Sequence, residues 1–351
     1  MKTLKSSLFV IMLSAVMGLQ LQASDEFTKK ISKSFDVNKD ATLSVKNKFG
    51  KVHCENWDKN SISIEVTITV QAANQEKANK YFEKIKIDIT GTSSLVEAIT
   101  SIEDNAFGKG SNEFSIDYMI NMPRSVNVDL NNKFGDIIVA EVGGTSKINL
   151  GYGTIDVKKL TGSTNTIDIE FSDGYIGYIK SANLDLKYSE LKIDEIGDMT
   201  AESKFSELNL GKIDVLTLES GYDEDFIGSV RNIDVEADFS DVEIRMVEQT
   251  LTANFDYGEL KVKEVGKAFK LIDISNSFSD ANIGFNPESS YRINATVKMG
   301  DFAYPQERAK LSVVEMSYTS SKYEGLVGGN PDTQSKVMID SQNSGVTLYY
   351  R

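Results

Sequence analysis

Apolar residues recur along most of this chain with a period of about 17 residues. The clearest example lies in residues 187–210, where KYSEL at 187–191 returns 17 residues later as KFSEL at 204–208. Both copies place an aromatic residue, a serine, an acid and a leucine in the same order. A fixed period of this size is typical of a solenoid, in which each repeat buries its apolar face only against its neighbours.

The repeat runs from about residue 130 to residue 304 when the aromatic of each copy is taken as position 0. The copies are spaced 17 to 21 residues apart. Position 0 is occupied in order by Phe134, Tyr152, Phe171, Tyr188, Phe205, Tyr222, Phe239, Tyr257, Phe278 and Met299. Positions −4 and +5 are apolar in every copy and position +8 in the first eight; in the copy of Tyr188 they are Leu184, Ile193 and Ile196. These columns predict stacked two-stranded rungs, that is, an all-β β-solenoid of ~17–21-residue rungs.

A small residue and an acid usually follow the aromatic, at positions +1 and +2. The acids at position +2 form what we call the acidic column: Asp136, Asp173, Glu190, Glu207, Glu224, Asp241, Glu259, Asp280 and Asp301. Small and acidic residues together favour a tight corner between two strands. The alternation of Phe and Tyr leaves two arrangements open. One repeat per coil would build a single mixed ladder, whereas two repeats per coil would separate a Phe ladder from a Tyr ladder; the alternation favours the second.

The pattern divides the chain into four parts. These are residues 1–23, a signal peptide; residues 24–130, an N-terminal β-rich region; residues 131–304, the solenoid; and residues 305–351, a loop with C-terminal closing strands. In the N-terminal region, strict alternation over residues 41–70 predicts half-buried strands, and helical spacing within residues 72–86 predicts one short α-helix. The strands predicted within residues 337–350 are expected to cover the last open rung.

The N-terminus has the pattern of a secretory signal. Lys2 and Lys5 precede an apolar run at 8–19, and Ala23 supplies a small residue at the expected cleavage point. Export would place the mature protein in the periplasm, on the outer surface or outside the cell. Cleavage removes two lysines and no acid, so the formal net charge changes from −14 to −16, with 36 basic against 52 acidic residues. Because an acidic chain repels phosphate backbones and anionic headgroups, we expect no nucleic-acid partner and no direct binding to anionic membranes.

The single histidine and single cysteine, His53 and Cys54, lie in an early copy of the repeat that begins at Phe49. Cys54 and Trp57 fall on positions +5 and +8 and are predicted to be core residues. His53 is predicted to point outward, away from the thiol, because neighbouring strand residues face opposite ways. One Cys and one His exclude an intramolecular disulfide and a zinc site built from several of these residues. The sequence therefore predicts no catalytic, cofactor-binding or metal-binding residues, and no cofactor.

The acidic column leaves one cation alternative open. Carboxylates stacked at the ~4.8 Å spacing of strands repel one another unless solvent screens them or a cation bridges them. Calcium between rungs is the alternative to solvated corner residues, and YDED at 222–225 is the densest place to look. The sequence lacks the glycine-rich nonapeptide of calcium-binding toxin solenoids, and Lys at position −1 of several copies offers local neutralisation. We expect solvated corners.

Several features together resemble one known family. They are the unit N-K-F-G-x-[IV] at 47–52 and 132–137, Trp57-Asp58 after the first copy, the alternating strand and short helix that follow, and the run of aromatic–small–acidic rungs. This combination looks like the bacterial exported "putative adhesin" repeat family, and the resemblance covers about residues 42–351. It implies a toast-rack-like β-helical domain of unknown function in a non-catalytic protein of the cell envelope or surface. No site residue is carried over from the family.

The first functional expectation is thus a non-catalytic exported scaffold, adhesin-like or structural, that binds an unknown protein or glycan in or outside the envelope. The alternatives are a carbohydrate-active enzyme on a β-helix scaffold and a periplasmic envelope sensor or assembly component. Carboxylates clustered in a cleft would favour the enzyme, and a flat acidic surface would favour interaction. The expected contact regions are the loops that break the period, at 103–112, 286–290 and 318–335.

Overall fold

The computed structural model describes residues 25–103 and 114–351. The expected signal peptide, and all of the expected 103–112 loop except its first residue, lie outside the described residues. The N-terminal part of the described chain contains β1 (Asp25–Asp36), β2 (Thr42–Phe49), β3 (Val52–Asn56), β4 (Ser61–Ala72), α1 (Gln75–Glu83), β5 (Ile85–Gly91), β6 (Leu95–Ile102) and β7 (Phe114–Met122). Helix α1 lies where the sequence predicts it, and the Asn74 side chain caps it by accepting a hydrogen bond from the Lys77 N–H at 3.0 Å.

The repeats form strands that run along two sides of each rung. They are β8 (Asn127–Phe134), β9 (Ile137–Val142), β10 (Ser146–Gly151), β11 (Thr154–Leu160), β12 (Asn165–Glu170), β13 (Asp173–Lys187), β14 (Glu190–Lys204), β15 (Glu207–Gly221), β16 (Glu224–Asp238), β17 (Asp241–Asp256), β18 (Glu259–Val265), β19 (Leu271–Ser277) and β20 (Asp280–Phe285). Strands β13 to β17 are 15 or 16 residues long because each runs unbroken around the corner opposite the aromatics.

Successive rungs pair in parallel and in register, with one repeat per coil. Ile176 lies opposite Ile193, which in turn lies opposite Leu210, and each occupies position +5 of its rung. Rungs of about 18 residues therefore stack as the sequence predicts, and the fold is a β-solenoid. Because every coil contains one repeat, Phe and Tyr share one ladder, and the arrangement with separate Phe and Tyr ladders is wrong.

The three predicted apolar columns form the core. Leu184, Ile193 and Ile196 are at most 3% exposed. The corresponding residues of the other copies are buried as well, except Tyr304, which is half-buried. Burying a side chain of this size stabilises the fold by about 1.5–3 kcal/mol. The columns therefore hold the rungs together along the whole array.

Rungs at the N-terminal end do not follow the order of the sequence. Strands β2 and β3 form a rung that pairs with β8 and β9 on one side and with β6 and β7 on the other. The rung of β6 and β7 is thus farther out, although it comes later in the chain. Beyond that rung the sheet ends in antiparallel strands. Strand β5 pairs with β6, β4 pairs with β7, and β1 pairs with the other edge of β4. Lysines at positions 29, 30 and 33 make the outer edge of β1 unattractive to further strands.

The C-terminal end has a comparable insertion, which corrects the sequence prediction. Its elements in the described chain are β21 (Tyr291–Lys298), β22 (Phe302–Ala303), a 3₁₀ turn (Gln306–Arg308), β23 (Ala309–Met316), β24 (Ser320–Val327), β25 (Lys336–Gln342) and β26 (Val346–Tyr350). Strand β25 lies between β19 and β21, and β26 lies between β20 and β22. Residues 337–350 therefore form an internal rung and do not close the array; β24 and β23 cover that end in antiparallel pairing.

Candidate interaction surface at the aromatic corner

One corner of the solenoid is built from residues in the left-handed backbone conformation. Position 0 has φ of 49–61° in the eight rungs from Tyr152 to Phe278, and Met299 and Asn343 have the same conformation. In the rungs of Phe49 and Phe134 the following glycine takes the positive φ instead, 101° and 131°. The left-handed conformation costs a non-glycine residue roughly 1–2 kcal/mol. A further interaction at position 0 must offset that strain.

Stacking of the aromatic rings supplies this interaction. Ten rings stack in one row, the aromatic ladder, with neighbouring centroids 4.8–5.2 Å apart: Phe49, Phe134, Tyr152, Phe171, Tyr188, Phe205, Tyr222, Phe239, Tyr257 and Phe278. Each stacked pair is worth about 0.5–1.5 kcal/mol, comparable with the strain. From Tyr152 to Phe278 the side chains remain 42–55% exposed. This part of the aromatic ladder is therefore a continuous surface stripe, roughly 34 Å long at the spacing of strands.

A row of hydroxyls lies beneath the aromatic ladder at position +1. The Ser189 hydroxyl accepts a hydrogen bond from the Ser172 N–H at 3.0 Å and donates one to the Lys187 carbonyl at 2.7 Å. Ser206 repeats this arrangement one rung further, accepting from the Ser189 N–H at 3.2 Å and donating to the Lys204 carbonyl at 2.8 Å. This serine ladder satisfies backbone groups at the corner that the turn leaves unpaired. It explains the serines at position +1, in five of the ten copies, which the sequence showed only as a preference for small residues.

The acidic column runs along one side of the aromatic ladder. Most of its carboxylates are exposed. Within residues 25–103 and 114–351, the only ion pair of this column joins Asp136 to the Lys51 ammonium at 3.8 Å. Together with the rings from Tyr188 to Phe239, the carboxylates from Asp173 to Asp241 line an open groove of about 820 Å³. We call the aromatic ladder and the acidic column together the ribbon.

The YDED segment contributes only one carboxylate to the ribbon. Glu224 is exposed, whereas Asp223 is 7% and Asp225 0% exposed. Burial raises the pKa of both inward carboxyls, that of Asp225 to about 7. The inward orientation of Asp223 and Asp225 was not predicted from the sequence. The available signal was Asp225 itself, a carboxylate at position +3, where the next rung in either direction has Leu208 or Val242. In the part of the chain that the structure describes, no three His, Cys, Asp or Glu side chains lie close enough together to hold a metal ion.

The histidine and cysteine singled out in the sequence do not form a site. Cys54 is fully buried, as predicted, and burial raises the pKa of its thiol to about 12. His53 points to the other face, as predicted, where its Nε2 lies 2.9 Å from a Glu55 carboxylate oxygen. The prediction that Trp57 is a core residue is wrong: it is half-buried, and its Nε1–H donates to the Ser61 carbonyl at 2.7 Å. The indole needs a hydrogen-bond acceptor, which the apolar column does not offer.

The expected contact loop at 286–290 and the end of the one at 318–335 meet near the C-terminal end; the prediction of a loop is wrong for residues 320–327, which form β24. Residues 288–290 and 330–335 line a cleft of about 410 Å³ together with residues 267–270. A Lys267–Glu288 ion pair lies at this cleft, and the Thr333 hydroxyl donates to the Ser290 carbonyl at 2.6 Å. Since one of its two acidic side chains is already paired with a lysine, the cleft does not present two free facing carboxylates.

Chemically, the ribbon offers ring edges beside carboxylate oxygens. Each inner ring of the aromatic ladder has a neighbour on both faces, with planes within 10° of parallel from Tyr152 to Phe278. The faces, on which cations and flat ligands stack, are therefore covered, and only the edges are free. Carboxylates accept hydrogen bonds and attract cations. Such a surface is suited to long side chains that combine an apolar stem with a positive head.

The protein is thus a β-solenoid with an exposed aromatic and acidic surface. No protein-family model matches the chain, and no curated protein matches its sequence. Among solved structures, a "putative cell adhesion protein" from Clostridium sporogenes is similar, with 11% identity over 93% of this chain and 100% of that chain and a TM-score of 0.20. A "putative adhesin" from Parabacteroides distasonis has 12% identity over 73% and 97% of the two chains and a TM-score of 0.39. A "putative adhesin" from Bacteroides fragilis has 8% identity over 92% and 97%, with a TM-score of 0.32.

These similarities are too low to carry a role from those proteins to this chain. No helix within residues 25–103 and 114–351 is both long and apolar enough to cross a membrane. A function therefore has to be argued from the ribbon itself.

Proposed function

We propose that the protein is a non-catalytic exported interaction scaffold of adhesin type and that the ribbon is its contact surface. The supporting observation is the row of half-exposed rings from Tyr152 to Phe278 beside carboxylates that lack counter-ions within the described chain. Contiguous exposed apolar surface is a common sign of an interaction site on a soluble protein. The carboxylates lie along an open corner, and this supports interaction over the carbohydrate-active enzyme, which needs paired carboxylates in a cleft. Export is the part of the proposal that rests on the pattern of residues 1–23.

The partner in this proposal is an extended, positively charged polypeptide segment. Lysine and arginine side chains would lay their apolar stems along the ring edges and bring their charged heads to the acidic column. The formal net charge of the mature chain, −16 from 36 basic and 52 acidic residues, adds long-range attraction for a basic partner. A glycan is the weaker choice because the ring faces on which a sugar could stack are covered by neighbouring rings.

The experiment measures binding of the mature chain, residues 24–351, to a peptide of alternating Lys and Thr, with alternating Glu and Thr as the control peptide and a glycan array in parallel. The ribbon variant carries Glu190→Gln, Glu207→Gln and Glu224→Gln. The matched variant carries Asp156→Asn, Glu195→Gln and Asp198→Asn, which remove the same charge from exposed positions outside the ribbon.

We expect the ribbon variant to bind the basic peptide at least about tenfold more weakly, because three charge-assisted contacts are lost, and the matched variant to bind nearly as wild type. Equal weakening in both variants would reduce the effect to net charge and refute the ribbon as a site. Selective binding of a glycan, insensitive to the ribbon variant, would refute both the surface and the partner.

A further inference from the structure

The rung of Tyr222 departs from its neighbours inside the solenoid. Position +3 is Leu208 in the preceding rung and Val242 in the next one, and both are at most 1% exposed. In the rung of Tyr222 this position is Asp225, which is fully buried. Position +1 carries Asp223, where the adjoining rungs have a serine of the serine ladder. Two carboxyls thus replace one apolar side chain and one hydroxyl beneath the centre of the ribbon.

A hydrogen-bond chain joins the two carboxyls. The Ser220 Oγ lies 2.6 Å from Asp225 Oδ2 and 3.2 Å from Asp223 Oδ2. Asp223 also accepts from the backbone N–H of Ser206 at 2.6 Å and from that of Gly221 at 3.1 Å. A serine hydroxyl has one hydrogen and cannot donate to both carboxyls. A proton on Asp225 resolves the count: Asp225 donates to Ser220, Ser220 donates to Asp223, and Asp223 remains ionised.

The surroundings favour this proton on Asp225 over a proton on Asp223. Burial is the largest influence and raises the pKa of Asp225, the hydrogen bond from Ser220 lowers it, the Asp223 charge raises it and the backbone N–H of Leu208 lowers it, with the result at about 7. Asp225 lies between Leu208 of the preceding rung and Val242 of the following rung. Ser220 lies between Ser203 and Ala237 in the same way. Asp223 is the only charged group that affects this pKa within the described chain. Burial raises the pKa of Asp223 as well, but two backbone N–H groups, those of Ser206 and Gly221, stabilise its charge, against one, that of Leu208, for Asp225.

We propose that Asp225, Ser220 and Asp223 form a proton-dependent latch that holds the corner of Tyr222 in the ribbon. With Asp225 protonated, the hydrogen-bond chain is complete. Asp223 then connects the corner of Tyr222 to the preceding corner by accepting a hydrogen bond from the Ser206 N–H. When Asp225 loses its proton, two carboxylates compete for one hydroxyl hydrogen and a negative charge is buried without a counter-ion. The corner then opens, and the aromatic ladder loses its continuity between Phe205 and Phe239. The ribbon is in this way weakened as the pH rises above neutrality.

The direction of the pH dependence follows from linkage. The folded state holds a proton on Asp225 up to about pH 7, whereas the unfolded chain releases it near the ordinary value of 3.8. The stabilisation is fully present below the pKa of Asp225 in the unfolded state and is lost as the pH rises through its pKa in the folded state. In that interval the unfolding equilibrium constant should rise by up to about tenfold per pH unit from this residue alone.

The test compares urea unfolding of wild type, Asp225→Asn and Glu224→Gln at pH 5, 6, 7 and 8. Asparagine keeps the shape and cannot ionise, and Glu224→Gln removes the adjacent exposed acid as the matched control. Between pH 5 and 7 we expect the unfolding equilibrium constants of wild type and Glu224→Gln to rise roughly tenfold per pH unit relative to that of Asp225→Asn. An Asp225→Asn protein with the same pH dependence as wild type overturns the latch.

Two further measurements test the latch without the Asp225→Asn variant. Asp225→Leu restores the residue type of Leu208 and should be more stable than wild type at pH 8; a less stable variant contradicts the latch. Amide exchange at Gly221 and Asp223, corrected for intrinsic rates, should accelerate between pH 7 and 8 relative to the corresponding amides two rungs earlier, those of Lys187 and Ser189; the Ser189 N–H donates to Ser206 and not to the latch. Equal exchange at both corners contradicts the opening of the ribbon. None of these readouts involves a partner, so their failure is distinguishable from failure of the proposed function.

Discussion

Replacing Ile193 by aspartate would place a carboxyl in the dry core of the solenoid. Ile193 is fully buried between Ile176 and Leu210. Losing the burial of this side chain costs about 1.5–3 kcal/mol. A buried carboxyl without a hydrogen-bond partner costs about 1–3 kcal/mol more, even when it is protonated. At pH 4 the free energy of unfolding should therefore fall by about 4 kcal/mol.

At pH 8 the same variant loses further stability, because its buried carboxyl must stay protonated although an exposed carboxyl would be ionised. Asp225 sets the scale, because burial raises its pKa from 3.8 to about 7 although Ser220 hydrogen-bonds to it. At about 1.4 kcal/mol per pH unit, that interval corresponds to about 4 kcal/mol. The folded pKa is raised, so stability is lost as the pH rises from the ordinary value through the folded one. An aspartate at position 193 has apolar neighbours and should lose at least as much, about 8 kcal/mol in all at pH 8.

Urea unfolding followed by circular dichroism at pH 4 and pH 8 measures both values. Ile193→Asn is the control, since it has the shape and polarity of the protonated carboxyl but no titration. It should lose about 4 kcal/mol at both pH values. An Ile193→Asp protein within about 1 kcal/mol of wild type at pH 8, or equal stability of the Asp and Asn variants there, would contradict a dry core at position 193.

Four further outcomes follow from the corner and the inserted rung. Glu190→Ala should change the free energy of unfolding by less than about 0.5 kcal/mol, because its carboxylate is exposed; a loss above about 2 kcal/mol would reveal a bridging cation. Ser189→Ala should cost about 1–3 kcal/mol in urea unfolding, since the Ser172 N–H and Lys187 carbonyl lose their hydroxyl partner, and an unchanged midpoint would show that the serine ladder is dispensable. Millimolar calcium should leave the melting temperature of wild type unchanged, and a rise of several degrees would point to a cation in the acidic column. Deleting residues 336–351 should expose the edges of four strands, β19 to β22, and cause aggregation in sedimentation; a soluble, cooperatively unfolding monomer would contradict the inserted rung.

The rung itself was predictable because its signals are local. Apolar residues at −4, +5 and +8 of Tyr188 report burial directly, and the small and acidic residues after the aromatic report a corner. The left-handed backbone was not predictable in this way. Aromatic residues rarely adopt it, and they do so here because the rings of neighbouring rungs offset the strain, which is a contact between residues about 17 apart.

The candidate surface was predictable only in part. The acidic column and the aromatics were visible in the sequence, but their common orientation depended on one repeat per coil, which the alternation of Phe and Tyr argued against. The inward orientation of Asp225 had a signal in the sequence, an acid at position +3. The prediction used only the apolar columns at −4, +5 and +8 and did not include that position. The inserted rung had one as well, since Ile339, Asn343 and Leu348 fit positions −4, 0 and +5. Periodicity shows that a segment fits the stack, but it carries no information on which neighbours it meets.

The inserted rung changes how force and proteases act on the end of the array. In a solenoid whose rungs follow the order of the sequence, a pull on the chain end peels off the outermost rung, one hydrogen bond after another. Here a pull on residue 351 acts on β26, which has β20 on one side and β22 on the other. Removing it requires breaking the ladder to β20 and the two-residue pairing to β22, while β25 of the same rung stays held between β19 and β21. The strand nearest the carboxyl terminus is thus protected by chain that precedes it, and the array resists unravelling from that end.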